Sequence, residues 1–449
     1  MAPRLLIALV LFLAAAAPAR ASLVQADSSH ARNAFLQATD PFVPFEWWRP
    51  VVGADRAEPP GPGKAVTVID SGVDITHPEF AARPNTTVLN RQTTSQEDED
   101  HGTEVSSVIA AQNNGFGIVG VYPDAVLNIW DASPFGFLNE SAAIQGIREA
   151  ALRGPGVINL SFGGEDDDPL LEEAISLAFR SGSLVVAAAG NEGLEGSPQS
   201  FPAFYPHVLT IGATNESGRV AGFSSISPSV DLVAPGVHIP VADPASANPP
   251  GYDLAANGTS FASPIVAGAA AWIWTRRPDL DNTQLFELLR RSGTDIGDRG
   301  FDNASGYGLL NIPNALALKT PTRDPQEPNE KPGQIEPNGL STTGTPPLTR
   351  PGQAAGSVGA RVDRSEVPLD LYRAWSPAGM KLTARTTGSV ALRILPRSAR
   401  GNKARPLATG KRGVATYSNK GARGVYVYIE VRPTARSAEY KLRLSAARR

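Results

Sequence analysis

From Phe261 to Trp274 every position is apolar or small, and alanine dominates. Such a run reads as a buried helix, opened by the small-residue turn Asn257-Gly258-Thr259-Ser260. Two other segments have clear local character. Ala65-Val66-Thr67-Val68-Ile69-Asp70 is a short β-branched strand that ends in an acid and the turn Ser71-Gly72. His101-Gly102-Thr103-Glu104-Val105-Ser106-Ser107-Val108-Ile109-Ala110-Ala111 is helix-like. From Thr320 to about Gly356 the pattern lapses into Pro, Gly, Thr and Asn with no hydrophobic period, as in a linker. After it, Val390–Leu395 and Gly424–Val431 are rich in apolar, β-branched and aromatic residues, and Tyr440–Leu444 alternates strictly. These read as strands of a small β-sandwich.

The chain opens Met1-Ala2-Pro3-Arg4, runs apolar from Leu5 to Ala17 and then reads Pro18-Ala19-Arg20-Ala21. A basic start, a short apolar core and an Ala-x-Ala end predict a secretory signal peptide over 1–21. The apolar core is too short to span a bilayer, and no later segment resembles a membrane span. The absence of cysteine excludes disulfides and thiol catalysis, and export without disulfides suits a bacterial protein, extracellular or periplasmic. The formal net charge of −3 conceals an asymmetry, because residues 361–449 carry 20 Lys and Arg against 5 Asp and Glu. A basic end on an acidic body suggests a separate module suited to anionic surfaces or polymers, without any signature of specific nucleic-acid recognition.

Ser260 at a helix N-terminus has free backbone N–H groups and the positive end of the helix dipole beside it. Those groups suit an oxyanion, but a serine hydroxyl needs a base and an orienting group to become a nucleophile. Of the five histidines only His101 opens a helix-like segment, and Asp70 sits at a strand tip, where open α/β sheets place their sites. Asp70 would orient His101, and His101 would take the proton of Ser260. Taken singly, each motif is ordinary: a helix cap, a turn acid, a loop histidine.

In order, these segments resemble the signatures of the subtilisin-like serine peptidases, Asp then His then Ser. Ala187-Ala188-Ala189-Gly190-Asn191-Glu192-Gly193 is similar to the block carrying that family's oxyanion asparagine, here Asn191. Asn159-Leu160-Ser161-Phe162-Gly163-Gly164 resembles its substrate-pairing strand, and Gly306–Asn311 its closing turn. The resemblance implies a three-layer α/β/α domain with a mostly parallel sheet, and endopeptidase activity through an acyl-enzyme with no catalytic cofactor. It implies that Ser161, Phe162, Gly163, Ala189 and Gly190 bind the backbone of protein or peptide substrates. Gln112–Ile118 looks like the family's calcium loop, in which Asn114 and the carbonyls of Gln112, Phe116 and Ile118 coordinate a structural ion. Glu79 and Asp40 match its acidic ligands. A glycine-rich turn holding no metal is the plainer alternative.

Three positions depart from the family pattern: Glu104, Phe261 and Ile265, all expected to affect packing rather than chemistry. The acidic run Glu97-Asp98-Glu99-Asp100 would favour a cationic imidazole at His101, or is simply a solvated loop. Glu165-Asp166-Asp167-Asp168-Pro169 reads as an acidic rim favouring basic substrate side chains, or as a helix start capped by Asp168.

The expected organisation is a signal peptide (1–21), a short segment (22–39), an α/β catalytic domain (40–318), a Pro/Gly-rich linker (319–360) and a small all-β basic domain (361–449). A chain ending near Leu318 is expected to keep its fold. Two other roles are compatible with parts of the chain: a non-catalytic scaffold that retains the fold and binds peptides, and an adhesin that binds polyanions.

Overall fold

The computed structural model describes residues 40–90, 100–134, 136–247, 250–336, 345–364, 367–399 and 404–448. The segments expected as signal peptide and N-terminal extension lie outside them. Seven strands build the first sheet: β1 (Ala65–Asp70), β2 (Thr86–Asn90), β3 (Val126–Asp131), β4 (Val157–Leu160), β5 (Leu184–Ala188), β6 (Val208–Thr214) and β7 (Val230–Pro235). Their order is β2-β3-β1-β4-β5-β6-β7, and all neighbouring pairs are parallel. Because both faces are covered, the central strands are continuous apolar runs rather than alternations. Val66 and Val68 of β1 join the core formed with helices Asp100–Ala110 and Thr259–Arg276. Ile69 and Ile158 point the other way, into a second core with helices Glu140–Leu152 and Pro169–Arg180. The three-layer α/β/α expectation therefore holds.

Helix Thr259–Arg276 is the axle of the first core. Its residues from Phe261 to Trp274 are all buried, which explains why the sequence shows no polar face there.

The C-terminal region forms two four-stranded sheets. One orders Ala355–Asp363, Ser437–Arg448, Met380–Thr386 and Val414–Ser418; the other orders Asp370–Ser376, Val425–Pro433, Val390–Pro396 and Ala408–Thr409. All six pairings are antiparallel. Val362, Tyr372, Leu382, Leu392, Ile429 and Leu442 meet in one core between them.

The stretch expected as linker behaves differently in two places. The first sandwich strand already begins at Ala355, and Asp324, Asn329, Glu330 and Ile335 are buried. The buried part lacks a hydrophobic period because charge pairs and hydrogen bonds, not apolar spacing, hold it in place. Arg290, on helix Asn282–Ser292, is fully buried at the seam between the domains. Its Nε lies 3.2 Å from Asp231 Oδ1, and its Nη2 donates to Asp363 Oδ2 at 3.2 Å and to the Tyr307 hydroxyl at 2.9 Å. Arg361 Nη2 adds an ion pair to Glu287 at 3.0 Å. Removing everything after Leu318 would leave Arg290 buried beside Asp231 without Asp363, so the truncated chain is expected to be destabilised rather than indifferent. Among the described residues no helix is long and apolar enough to cross a membrane.

Candidate active site

Three crossover elements deliver three side chains to the C-terminal edge of the parallel sheet. Asp70 ends β1, fully buried, and its Oδ1 accepts from the Ser71 N–H at 2.8 Å. His101 sits in the first turn of helix Asp100–Ala110, with Nδ1 2.8 Å from Asp70 Oδ1. The approach depends on Gly102, where a Cβ would fall 2.0 Å from the Gly72 carbonyl oxygen. The Gly102 N–H also donates to Ser71 Oγ at 2.9 Å, so the turn after Asp70 grips the helix that carries the imidazole.

The Asp70 carboxylate raises the His101 imidazole to about 9; burial opposes this, and Glu104 adds to the rise. The Glu104 carboxyl is itself pushed up to about 7 by burial, with His101 opposing and Asp243, Asp253 and Asp100 adding repulsion. Of the acidic run before His101, only Asp100 falls within the described residues. Phe261 packs its ring against the imidazole, with centroids 6.3 Å apart, and Ile265 is wholly buried, both in keeping with packing roles.

Ser260 stands in the first turn of helix Thr259–Arg276, half-buried, and its hydroxyl donates to the Ser161 carbonyl at 3.2 Å. Proton transfer to His101 therefore needs a rotation about its Cα–Cβ bond. Asn191 is exposed at the end of the β5 turn. Its Oδ1 accepts from the Thr259 N–H at 2.9 Å and the Thr259 hydroxyl at 3.0 Å. With the oxygen so engaged, Nδ2 is left as the free donor next to the Ser260 turn.

Sequence reasoning missed the network behind the serine. Asn159 Nδ2 donates to Ser161 Oγ at 3.0 Å, and Ser161 Oγ donates to the Ser260 carbonyl at 2.9 Å. Ser263 Oγ donates to Asn159 Oδ1 at 2.8 Å. Both Asn159 and Ser263 are buried polar residues inside apolar elements, and that mismatch was the available signal.

Among the expected substrate-binding residues, Ser161 lies against Ser260, and Phe162 packs on the second core. Gly163 is exposed beside Ser200, and Gly164 pairs with Phe201 through bonds of 3.0 and 2.7 Å. Ala189 is buried, and Gly190, at φ +104°, also faces Ser200, with the Glu192 carboxylate beside it. The acidic stretch after Gly164 is partly engaged within the fold. Asp168 caps helix Pro169–Arg180 by accepting from the Leu170 N–H at 2.8 Å, and Asp167 accepts from the Tyr205 hydroxyl at 2.9 Å.

The expected calcium residues also converge, around the loop that follows the His101 helix. Asp40 accepts from the N–H groups of Asn114 and Gly115, and Asn114 Oδ1 accepts from the Phe116 N–H at 2.9 Å. Glu79 Oε1 accepts from the Ile118 N–H at 3.1 Å and the Tyr252 hydroxyl at 3.0 Å, whereas its Oε2 is buried without a hydrogen-bond partner. Burial pushes the Glu79 carboxyl up to about 8, those two donors pull it down, and Asp40 and Glu46 add repulsion. The unpartnered, buried carboxylate oxygen of Glu79 fits a hard divalent cation.

Comparison with known proteins agrees with this geometry. The model of the subtilase family matches residues 61–308. Subtilisin NAT of Bacillus subtilis subsp. natto is 39% identical over 258 residues, covering 56% of this chain and 65% of that protein. The chain thus spans a little under two thirds of that relative's length. Subtilisin of Bacillus pumilus is 38% identical over 258 residues, covering 56% of this chain and 90% of that protein. Fervidolysin from Fervidobacterium pennivorans, described as a keratinolytic enzyme related to subtilisin, is a solved structure with a TM-score of 0.54 and 26% identity; the match covers 83% of this chain and 53% of that one. A motif order of Asp, His and Ser, a parallel sheet that gathers them at one edge and a family match over more than half the chain agree: this chain belongs to the subtilase family.

Proposed function

We propose that the chain is an exported serine endopeptidase that cleaves protein or peptide substrates through an acyl-enzyme. The observation that carries this reading is the 2.8 Å contact of Asp70 Oδ1 with His101 Nδ1, a buried acid that orients a half-exposed imidazole. Ser260 Oγ attacks the scissile carbonyl as His101 Nε2 takes its proton. The tetrahedral oxyanion receives hydrogen bonds from Asn191 Nδ2 and the Ser260 N–H, and both donors are fixed before substrate arrives. His101 then returns the proton to the leaving amine. Water repeats the sequence on the acyl-enzyme and frees Ser260. Ser161, Phe162, Gly163, Ala189 and Gly190 hold the substrate backbone along the edge beside Ser200. No catalytic cofactor enters these steps.

A structural calcium ion at Asp40, Glu79 and Asn114 completes the reading; it would neutralise the Glu79 carboxylate and tie the chain's N-terminal segment to the loop after the His101 helix. Export is favoured by the basic-apolar-Ala-x-Ala start of the chain.

The test is labelling with a serine-directed phosphonate and hydrolysis of an unfolded protein. Wild type should label and cleave, and Ser260→Ala should do neither. A correctly folded wild type that remains inert and unlabelled would return the chain to the reading of a non-catalytic, peptide-binding scaffold.

A second role, attachment to an anionic polymer, is favoured by one face of the sandwich. Lys381, Arg385, Lys441 and Arg443 are exposed on neighbouring strands, and Arg385 lies directly opposite Arg443. Like charges in register cost stability, so a polyanion that bridges them would be bound favourably.

A further inference from the structure

The seam between the two domains holds a group of acids that the active site does not use. Asp324, Glu327 and Glu330 lie on the strap that enters the sandwich, and Asp370 opens one of its strands. One carboxylate oxygen each from Asp324, Glu327 and Asp370 lie within 4.8 Å of one another. Each of the three is half-satisfied in the same way. Asp324 Oδ2 accepts from the Arg361 N–H at 2.7 Å, and Glu327 Oε2 accepts from the Asn329 N–H at 3.1 Å. Asp370 Oδ2 accepts from the hydroxyls of Tyr372 and Tyr440. The opposite oxygens, Asp324 Oδ1, Glu327 Oε1 and Asp370 Oδ1, are buried and have no hydrogen-bond partner.

Three unpartnered carboxylate oxygens in one buried place are costly unless the carboxyls take up protons or a cation joins them, and a cation satisfies all three oxygens at once. The nearby protein cations offset the cluster only in part. Arg361 pairs with Glu287 and Asp363, and His207 Nε2 lies 2.6 Å from Glu330 and 3.7 Å from Glu327 Oε2, on the oxygen opposite the unpartnered Oε1. A cavity lined by His207, Thr283, Asp324, Glu327 and Arg361 borders the cluster.

We propose that Asp324, Glu327 and Asp370 bind a divalent cation, calcium, and that this ion fastens the β-sandwich to the α/β domain. The all-oxygen donor set selects a hard cation, and calcium tolerates the irregular arrangement and the additional carbonyl or water ligands it would need. The trio His207, Glu327 and Glu330 would suit zinc better, but the His207–Glu330 contact already has the length of an ion pair. Fastening follows from the strap's other bonds. The Leu371 N–H donates to Asn329 Oδ1 at 2.9 Å on the sandwich side. On the α/β side the Asp324 N–H donates to Thr283 Oγ1 at 3.1 Å, and Gln284 Nε2 donates to the Pro321 carbonyl at 3.0 Å. An ion joining Asp324 to Asp370 closes the gap between these two sets. The site shares no residue with the one at Glu79, and its existence does not depend on peptidase activity.

The experiment uses full-length Ser260→Ala protein, stripped with chelator and titrated calorimetrically with calcium and, separately, with zinc. Asp370→Asn in that background should bind one calcium fewer per chain, and Glu79→Gln should leave the seam ion in place. Hydrogen exchange on the unsubstituted Ser260→Ala protein covers the case in which Asp370→Asn does not fold. Amides of 321–330 and 367–376 should exchange up to about 100-fold more slowly at a hundredfold excess of calcium over its Kd than in chelator. Equal exchange in the two conditions overturns the proposal, as does an unchanged calcium stoichiometry in folded Asp370→Asn. Saturation of the seam by zinc with no response to calcium overturns the assignment of the ion.

Discussion

Asp70 Oδ1 meets His101 Nδ1 at 2.8 Å from a fully buried position, whereas the imidazole is 40% exposed. The carboxylate is thus shielded from water, and the ring it holds remains open to solvent. Asp70 raises the His101 imidazole to about 9, which favours its cation, and only the neutral ring can accept the serine proton. Hence kcat/KM should climb with pH on a limb whose apparent pKa lies well above 6.5. Asp70→Asn should move that limb downward and reduce kcat by about 3 × 10⁴-fold, the value subtilisin itself sets. An unshifted limb would detach Asp70 from His101.

The same pair has a thermodynamic signature in the inactive Ser260→Ala protein. A group whose folded pKa is raised contributes its stability fully below the unfolded value, near 6.5, and loses it as pH rises through about 9. Denaturant midpoints measured across that window should decline, and Asp70→Asn should flatten this part of the decline.

In the proposed mechanism, Asn191→Ala removes a donor whose partner exists only in the transition state. Turnover should drop about 10²–10³-fold with little change in KM, again the magnitude known for subtilisin. Ser260→Ala should remove about 10⁶-fold. A comparable effect of Asn191→Ala on KM would show that the amide binds ground-state substrate instead.

Chelation tests the residues at Glu79. Calcium at a hundredfold excess over its Kd stabilises a protein that binds it only when folded by about 2.7 kcal/mol. Ser260→Ala protein should melt lower in chelator. Glu79→Gln should remove the part of that response belonging to the Asp40, Glu79 and Asn114 site.

Arg290→Ala would leave Asp231 and Asp363 buried without their shared cation. The expected loss is about 3–5 kcal/mol, read from denaturant unfolding of the Ser260→Ala protein. Lysine should not restore it, because a single ammonium cannot reproduce a guanidinium that spans two carboxylates and the Tyr307 hydroxyl.

Attachment to polyanions is tested by elution of Ser260→Ala protein from a sulfated matrix across a salt gradient. Reversing Arg385 and Arg443 to glutamate should bring elution to markedly lower salt without changing the melting temperature. Equal elution would make the basic face a solvated surface only.

What could be read from the chain was local. The β1 tip, the His101 turn and the Ser260 helix each concentrate their meaning within a dozen residues, and the structure gathers them at one sheet edge. Contacts between distant residues were not readable. Asn159, Ser161 and Ser263 are separated by up to 104 residues, and their polar atoms find one another only after strand and helix pack. The Asp324–Glu330 strap misled for a related reason. Its burial is made by pairing acids with backbone N–H groups and His207, so it carries the composition of a linker.

Helix Thr259–Arg276 is covered by protein along almost its whole length, and Ser260, the proposed nucleophile, is in its first turn. Its backbone amides have no local route to solvent, so they should exchange only when the entire α/β domain opens. The serine's placement and the folded state would then be lost in one event. On heating, the half-life of the activity should equal the half-life of the fold, a lifetime set by one unfolding barrier rather than by gradual loosening of the site.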